Sequence, residues 1–101
     1  MAVRRVSGSV YVKIHAEARD IGTVPERGVF RWTIRNAKGQ LIRSGGWSAQ
    51  TLYPGGVYWH SLAVRLGYAS GLAAGTYTLR VRFVTASRTW RAPNVDFRQP
   101  Y

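Results

Sequence analysis

Apolar and polar residues alternate along most of the chain. The cleanest stretch is Thr76 to Phe83, with Tyr77, Leu79, Val81 and Phe83 on one side and Thr76, Thr78, Arg80 and Arg82 on the other. A period of two describes a strand with one face on a core and one in water. The same alternation puts Val10, Val12, Ile14, Ala16 and Ala18 on one face of a first long strand, where the small Ala16 and Ala18 predict a core that thins toward its end. Phe30, Trp32 and Ile34 form the inner face of a strand over 29–35, and Asn36 to Gln40 is a glycine-containing hairpin loop leading into a partner strand from Leu41 to Ser44. Gly45 and Gly46 are expected to break or bulge that partner, and a short edge strand is expected between Trp47 and Tyr53. From Val57 to Leu66 both faces carry apolar groups, which predicts a strand that is central or covered by a partner.

Turns separate these runs. The segment from Asp20 to Gly28 holds Pro25 between two glycines, Pro54-Gly55-Gly56 forms another turn, and Pro93-Asn94 interrupts the last extended segment. About seven strands result, with no convincing helix, no repeat and no linker. The expectation is an all-β fold, a single antiparallel β-sandwich spanning 1–101, with a short basic amino-terminal arm and an irregular carboxy-terminal tail.

Two phrases carry a family resemblance. Leu72-Ala73-Ala74-Gly75-Thr76-Tyr77-Thr78-Leu79-Arg80-Val81 resembles the L-x-x-G-x-Y-x-L-x-V segment found late in immunoglobulin-like and fibronectin-III-like sandwiches of bacterial or phage type. Thr51 to Gly56, followed by the Val57 strand, resembles the L-x-P-G turn of the same modules. The likeness implies an immunoglobulin-like fold and gives Tyr77 a structural role, its hydroxyl bonding backbone near the turn. It implies no activity, because such folds host many unrelated functions.

Charge changes the picture. Fifteen lysines and arginines face four acids, a formal net charge of +11, and thirteen of the fifteen are arginine. Arginine is a planar, always-charged fork suited to carboxylates, phosphates and aromatic faces, so an acidic partner is expected. The absence of cysteine excludes disulfides and thiolate chemistry. No apolar run reaches signal-peptide or membrane-spanning length, so a soluble chain without a leader is expected, with no membrane partner.

Catalytic patterns are absent. His15 and Glu17 share a strand face, but two ligands do not make a metal site, and Gly46-Trp47-Ser48-Ala49-Gln50 falls short of a nucleophile elbow. The expectation is a non-enzymatic protein without cofactor or metal. The candidate partner-binding residues are Arg4, Arg5, Arg31, Arg35, Arg80, Arg82, Trp47, Trp59 and Trp90, since arginine beside exposed tryptophan is the composition of interface hot spots. The leading reading is a structural module that docks on a larger acidic protein assembly, such as a phage capsid or tail that it decorates, or that self-assembles. Nucleic-acid binding by a basic sheet face, with Tyr11, Tyr58 and Trp59 as stacking platforms, is one alternative. A carbohydrate-binding module is another, and a small protease inhibitor a further one.

Overall fold

A computed structural model describes residues 3–101, and Met1 and Ala2 lie outside the described residues. Nine strands follow in order: β1 Val3–Val6, β2 Ser9–Arg19, β3 Glu26–Arg35, β4 Leu41–Gly46, β5 Gln50–Leu52, β6 Val57–Tyr68, β7 Gly75–Thr85, β8 Thr89–Arg91 and β9 Val95–Gln99. One turn of 3₁₀ helix, Ala69–Gly71, sits between β6 and β7. The fold is all-β, and every strand pairing is antiparallel. One sheet has the order β1-β2-β6; the other runs β4-β3-β7-β8, with β5 also on β3 and β9 also on β7.

The alternation explains how the sheets stack. Val10, Val12 and Ile14 of β2 and Val64 and Leu66 of β6 pack against Trp32, Ile34, Tyr77, Leu79 and Phe97 of the other sheet. Complete burial of a side chain such as Ile14 contributes about 1.5–3 kcal/mol. A smaller cluster, Ala16, Phe30, Leu52 and Phe83, continues toward the end of β2. Only alanines face inward there, and the sheets leave a cleft of about 530 Å³ lined by Ala18, Phe30, Leu52, Phe83 and Trp90. At the other end, the Tyr77 hydroxyl donates to the Ala73 carbonyl at 2.7 Å. Its pKa is raised above the ordinary 10.0 by burial. Gln99, wholly buried, points its amide at the same carbonyl from 3.5 Å.

Several expectations are corrected. The basic amino-terminal segment is not a free arm: Ser7 and Gly8 both take positive φ, forming the two-residue hairpin that lays Val3–Val6 along β2. The carboxy-terminal tail is not irregular either, because Phe97 and Gln99 bury themselves from β9. Gly45 and Gly46 stay within β4, and a Cβ at Gly45 would come within 2.6 Å of the Trp32 ring, so a glycine is required for close packing there. The register shift falls instead between Ile34 and Arg35. Of the two readings of β6, central or covered by a partner, the first is corrected: β2 is the central strand and β6 an edge, with Val57 and Trp59 of its second apolar face exposed in the single chain.

Candidate functional site

Strand pairing brings the arginines of β3 and β7 onto one surface. In antiparallel neighbours, opposed residues project from the same face. Arg31 lies opposite Arg82, and Arg82 lies opposite Arg91 of β8, giving three arginines in a row across three strands. In the next rows Thr33 opposes Arg80, and Arg35 opposes Thr78. Arg98 opposes Thr76 farther along. All these positions alternate with the buried Phe30, Trp32, Ile34, Tyr77, Leu79 and Phe83, so they point outward. A shallow groove of about 390 Å³ runs among Thr33, Arg35, Arg80, Arg82, Arg91 and Asn94.

These arginines have no acid against them. Among the described residues no lysine or arginine lies within 4.0 Å of a carboxylate, and the one such contact of a basic side chain is that of His15 with Glu17 on the other sheet. Asp96 is the one acid on the basic face, and it accepts a hydrogen bond from the Thr78 hydroxyl at 2.8 Å. Arg35 donates to the Gly39 carbonyl of the β3–β4 loop at 2.9 Å, which fixes its reach. Like charges directly opposed on a sheet are destabilising, by a few tenths to about 1 kcal/mol per pair. The Arg31–Arg82–Arg91 row therefore costs the protein stability.

The remaining candidates separate. Arg4 and Arg5 are exposed on β1, in the other sheet. Trp47 is half-buried in the seam between the sheets, its ring stacked on His60 at 5.1 Å and edge-on to Phe30 at 6.1 Å, so it closes the core. Trp90 lies opposite Phe83 at the mouth of the larger cleft, with Arg88 over its ring at 5.5 Å. Trp59 stands apart at 62% exposure, stacked on His15 at 5.6 Å on the outer face of β2 and β6. Of the stacking platforms considered from the sequence, Tyr58 is turned inward, its hydroxyl accepting from the Tyr53 N–H.

Sequence reasoning missed Arg91 and the approach of Ser61 to His15, while alternation alone puts Glu17 on the same strand face as His15. Arg91 sits two residues after Thr89 in a three-residue strand, too short for its face to be read from periodicity. His15 Nδ1 is 2.7 Å from Ser61 Oγ, and Nε2 is 2.9 Å from Glu17. Serine, histidine and carboxylate in series resemble the relay that activates a nucleophile. Acyl transfer also needs N–H donors converging on the developing oxyanion. Strand N–H groups lie in the plane of the sheet, whereas these side chains stand above it on an open face. The two bonds hold the His15 ring in its stack on the exposed Trp59 indole. No metal-holding group of three or more acids, histidines and cysteines occurs among the described residues.

In comparisons with known proteins, no family model matches the chain and no curated protein matches it.

Proposed function

We propose that this protein is a non-enzymatic docking module, built on an immunoglobulin-like sandwich, that seats its basic sheet face on an acidic protein surface of a larger assembly, as a decoration or accessory subunit does. The observation that carries this reading is the Arg31–Arg82–Arg91 row without carboxylate partners. Facing carboxylates would form charge-assisted, often bidentate pairs with the guanidinium forks. Three features favour a protein surface over a nucleic acid. The face carries arginine and threonine with no aromatic ring for base stacking. Arginine outnumbers lysine thirteen to two, as suits protein interfaces, where arginine is enriched and lysine depleted. The exposed Trp59 lies on the opposite sheet, which suits a subunit that touches more than one neighbour. The immunoglobulin-like topology is supported by the three-stranded sheet against the β4-β3-β7-β8 path and by the Tyr77 bond to Ala73.

Fluorescence anisotropy with labelled polyglutamate and with labelled single- and double-stranded DNA, across about 50–200 mM salt, tests the proposal. Polyglutamate binding that the Arg31→Glu/Arg82→Glu variant loses is the expected result. Tight DNA binding with a log-log salt slope near about −4, the value for four or five phosphate contacts, would replace the acidic-protein reading with the nucleic-acid one. Equal binding of polyglutamate by the variant and the parent would remove the basic face from the function.

A further inference from the structure

Exposed sheet edges invite pairing with other chains, and proteins block them with short strands, charges, prolines or inward-aimed charged residues. Here every edge except one carries such a device. β1 has four residues, two of them Arg4 and Arg5, and β2 beyond its reach presents Lys13, Glu17 and Arg19. β4 sends the Arg43 guanidinium back to the Arg65 carbonyl at 3.1 Å, β5 and β8 have three residues each, and β9 lies between Pro93 and Pro100.

β6 is the exception. With twelve residues it is the longest strand, and it pairs with β2 alone. From Val57 to Val64 it contains no lysine, arginine, acid or proline. Arg43 covers its backbone only at Arg65. Along the open stretch Val57, Trp59 and Leu62 are 49, 62 and 39% exposed.

We propose that β6 pairs antiparallel with β6 of a second copy, joining two three-stranded sheets into one six-stranded sheet about a two-fold axis. Charge selects the second copy. On a chain of net charge +11, most surfaces would set arginine against arginine, and Val57 to Val64 is where two copies meet without doing so. Shape agrees. Antiparallel neighbours oppose residues of the same face, so the axis passes through His60 or Ser61, and Trp59 then lies against Ser61 or Ala63 of the other copy, a large ring on a small side chain. The contact is isologous and closes at two. It goes beyond the docking proposal and does not depend on it, because the arginine row belongs to the other sheet.

Sedimentation equilibrium of the full chain tests it, in low salt and in about 1 M salt, where the screening length falls to about 3 Å. The expected result is a species of twice 11.3 kDa that tightens as salt screens the repulsion between copies. Ala63→Lys, an edge lysine that also faces Lys13 within the sheet at a cost of at most about 1 kcal/mol, is expected to be monomeric where the parent is dimeric, with unchanged circular dichroism. Arg31→Glu/Arg82→Glu is expected to remain dimeric while it loses polyglutamate binding, so the docking proposal can fail with the dimer intact, and the dimer can fail with docking intact. A parent chain that stays monomeric at about 1 mM, the weak end of measurable association, overturns the proposal. A dimeric Ala63→Lys or open-ended growth overturns it equally.

Discussion

On the first sheet, the outward residues of β2 and β6 set His15 between Ser61 and Glu17 and beneath the Trp59 ring. On the second, the outward residues of β3, β7 and β8 set Arg31, Arg82 and Arg91 in a row with no acid among them. Both faces arise from the same alternation over one shared core. The difference is that the His15, Ser61 and Glu17 cluster on the first face satisfies itself, while the row on the second has no carboxylate beside it. A self-satisfied polar cluster costs little and orients a neighbour, here the indole. A like-charged row without counter-charges weakens the free protein, and under the docking proposal a bound anion would relieve that cost and so be held more tightly.

Reversing the row is the largest way to break this comparison. Arg31→Glu/Arg82→Glu is expected to weaken polyglutamate binding about 100-fold, the loss of two charge-assisted contacts at roughly 1.5 kcal/mol each. Titration by anisotropy measures it, and a loss under about threefold would mean the partner binds elsewhere. The shared core gives the next largest effect. Tyr77→Phe removes the hydroxyl bond to Ala73, leaving that carbonyl only the longer Gln99 contact, and is expected to cost about 1 kcal/mol in denaturant unfolding with binding unchanged. The sign of its pH dependence follows from burial. The folded pKa of Tyr77 is raised, so the unfolded chain loses this proton first, and stability present below about pH 10 falls as pH climbs toward the folded value. Thermal melts above pH 10 should therefore drop more steeply for the parent than for Tyr77→Phe.

The strands β2, β3 and β7 were legible because their inward residues are apolar and most of their outward residues polar, so a period of two stands out over ten or more positions. β1 and β9 were not, since each is short and takes its identity from a neighbour, β1 from the Ser7-Gly8 turn and β9 from its ladder with β7. The candidate site was legible by halves. Alternation gave the face of Arg31, Arg35, Arg80 and Arg82, but only pairing of β3 with β7 makes them neighbours. Trp47 misled because its segment has no period: a tryptophan in an irregular stretch reads the same whether it seals a seam or waits for a partner. β6 read as central or partner-covered for a related reason, since apolar residues on both faces mark equally a strand inside a sheet and one exposed for pairing.

Two smaller effects sharpen the contrast between the faces. Arg82→Thr dilutes the row at its centre and is expected to stabilise the free protein by about 0.5 kcal/mol, while added salt raises the parent's melting temperature more than the variant's. Equal salt responses would show that the row carries no strain. Trp59→Ala is the counterpart on the first sheet. In the single chain the ring is mostly in water and its main contact is the His15 stack, so at monomeric concentration the unfolding free energy is expected to change by less than about 0.5 kcal/mol and polyglutamate affinity not at all. Loss of affinity with Trp59→Ala would mean that one partner spans both sheets, and the distinction between a charged docking face and a separate aromatic contact would then have to be abandoned.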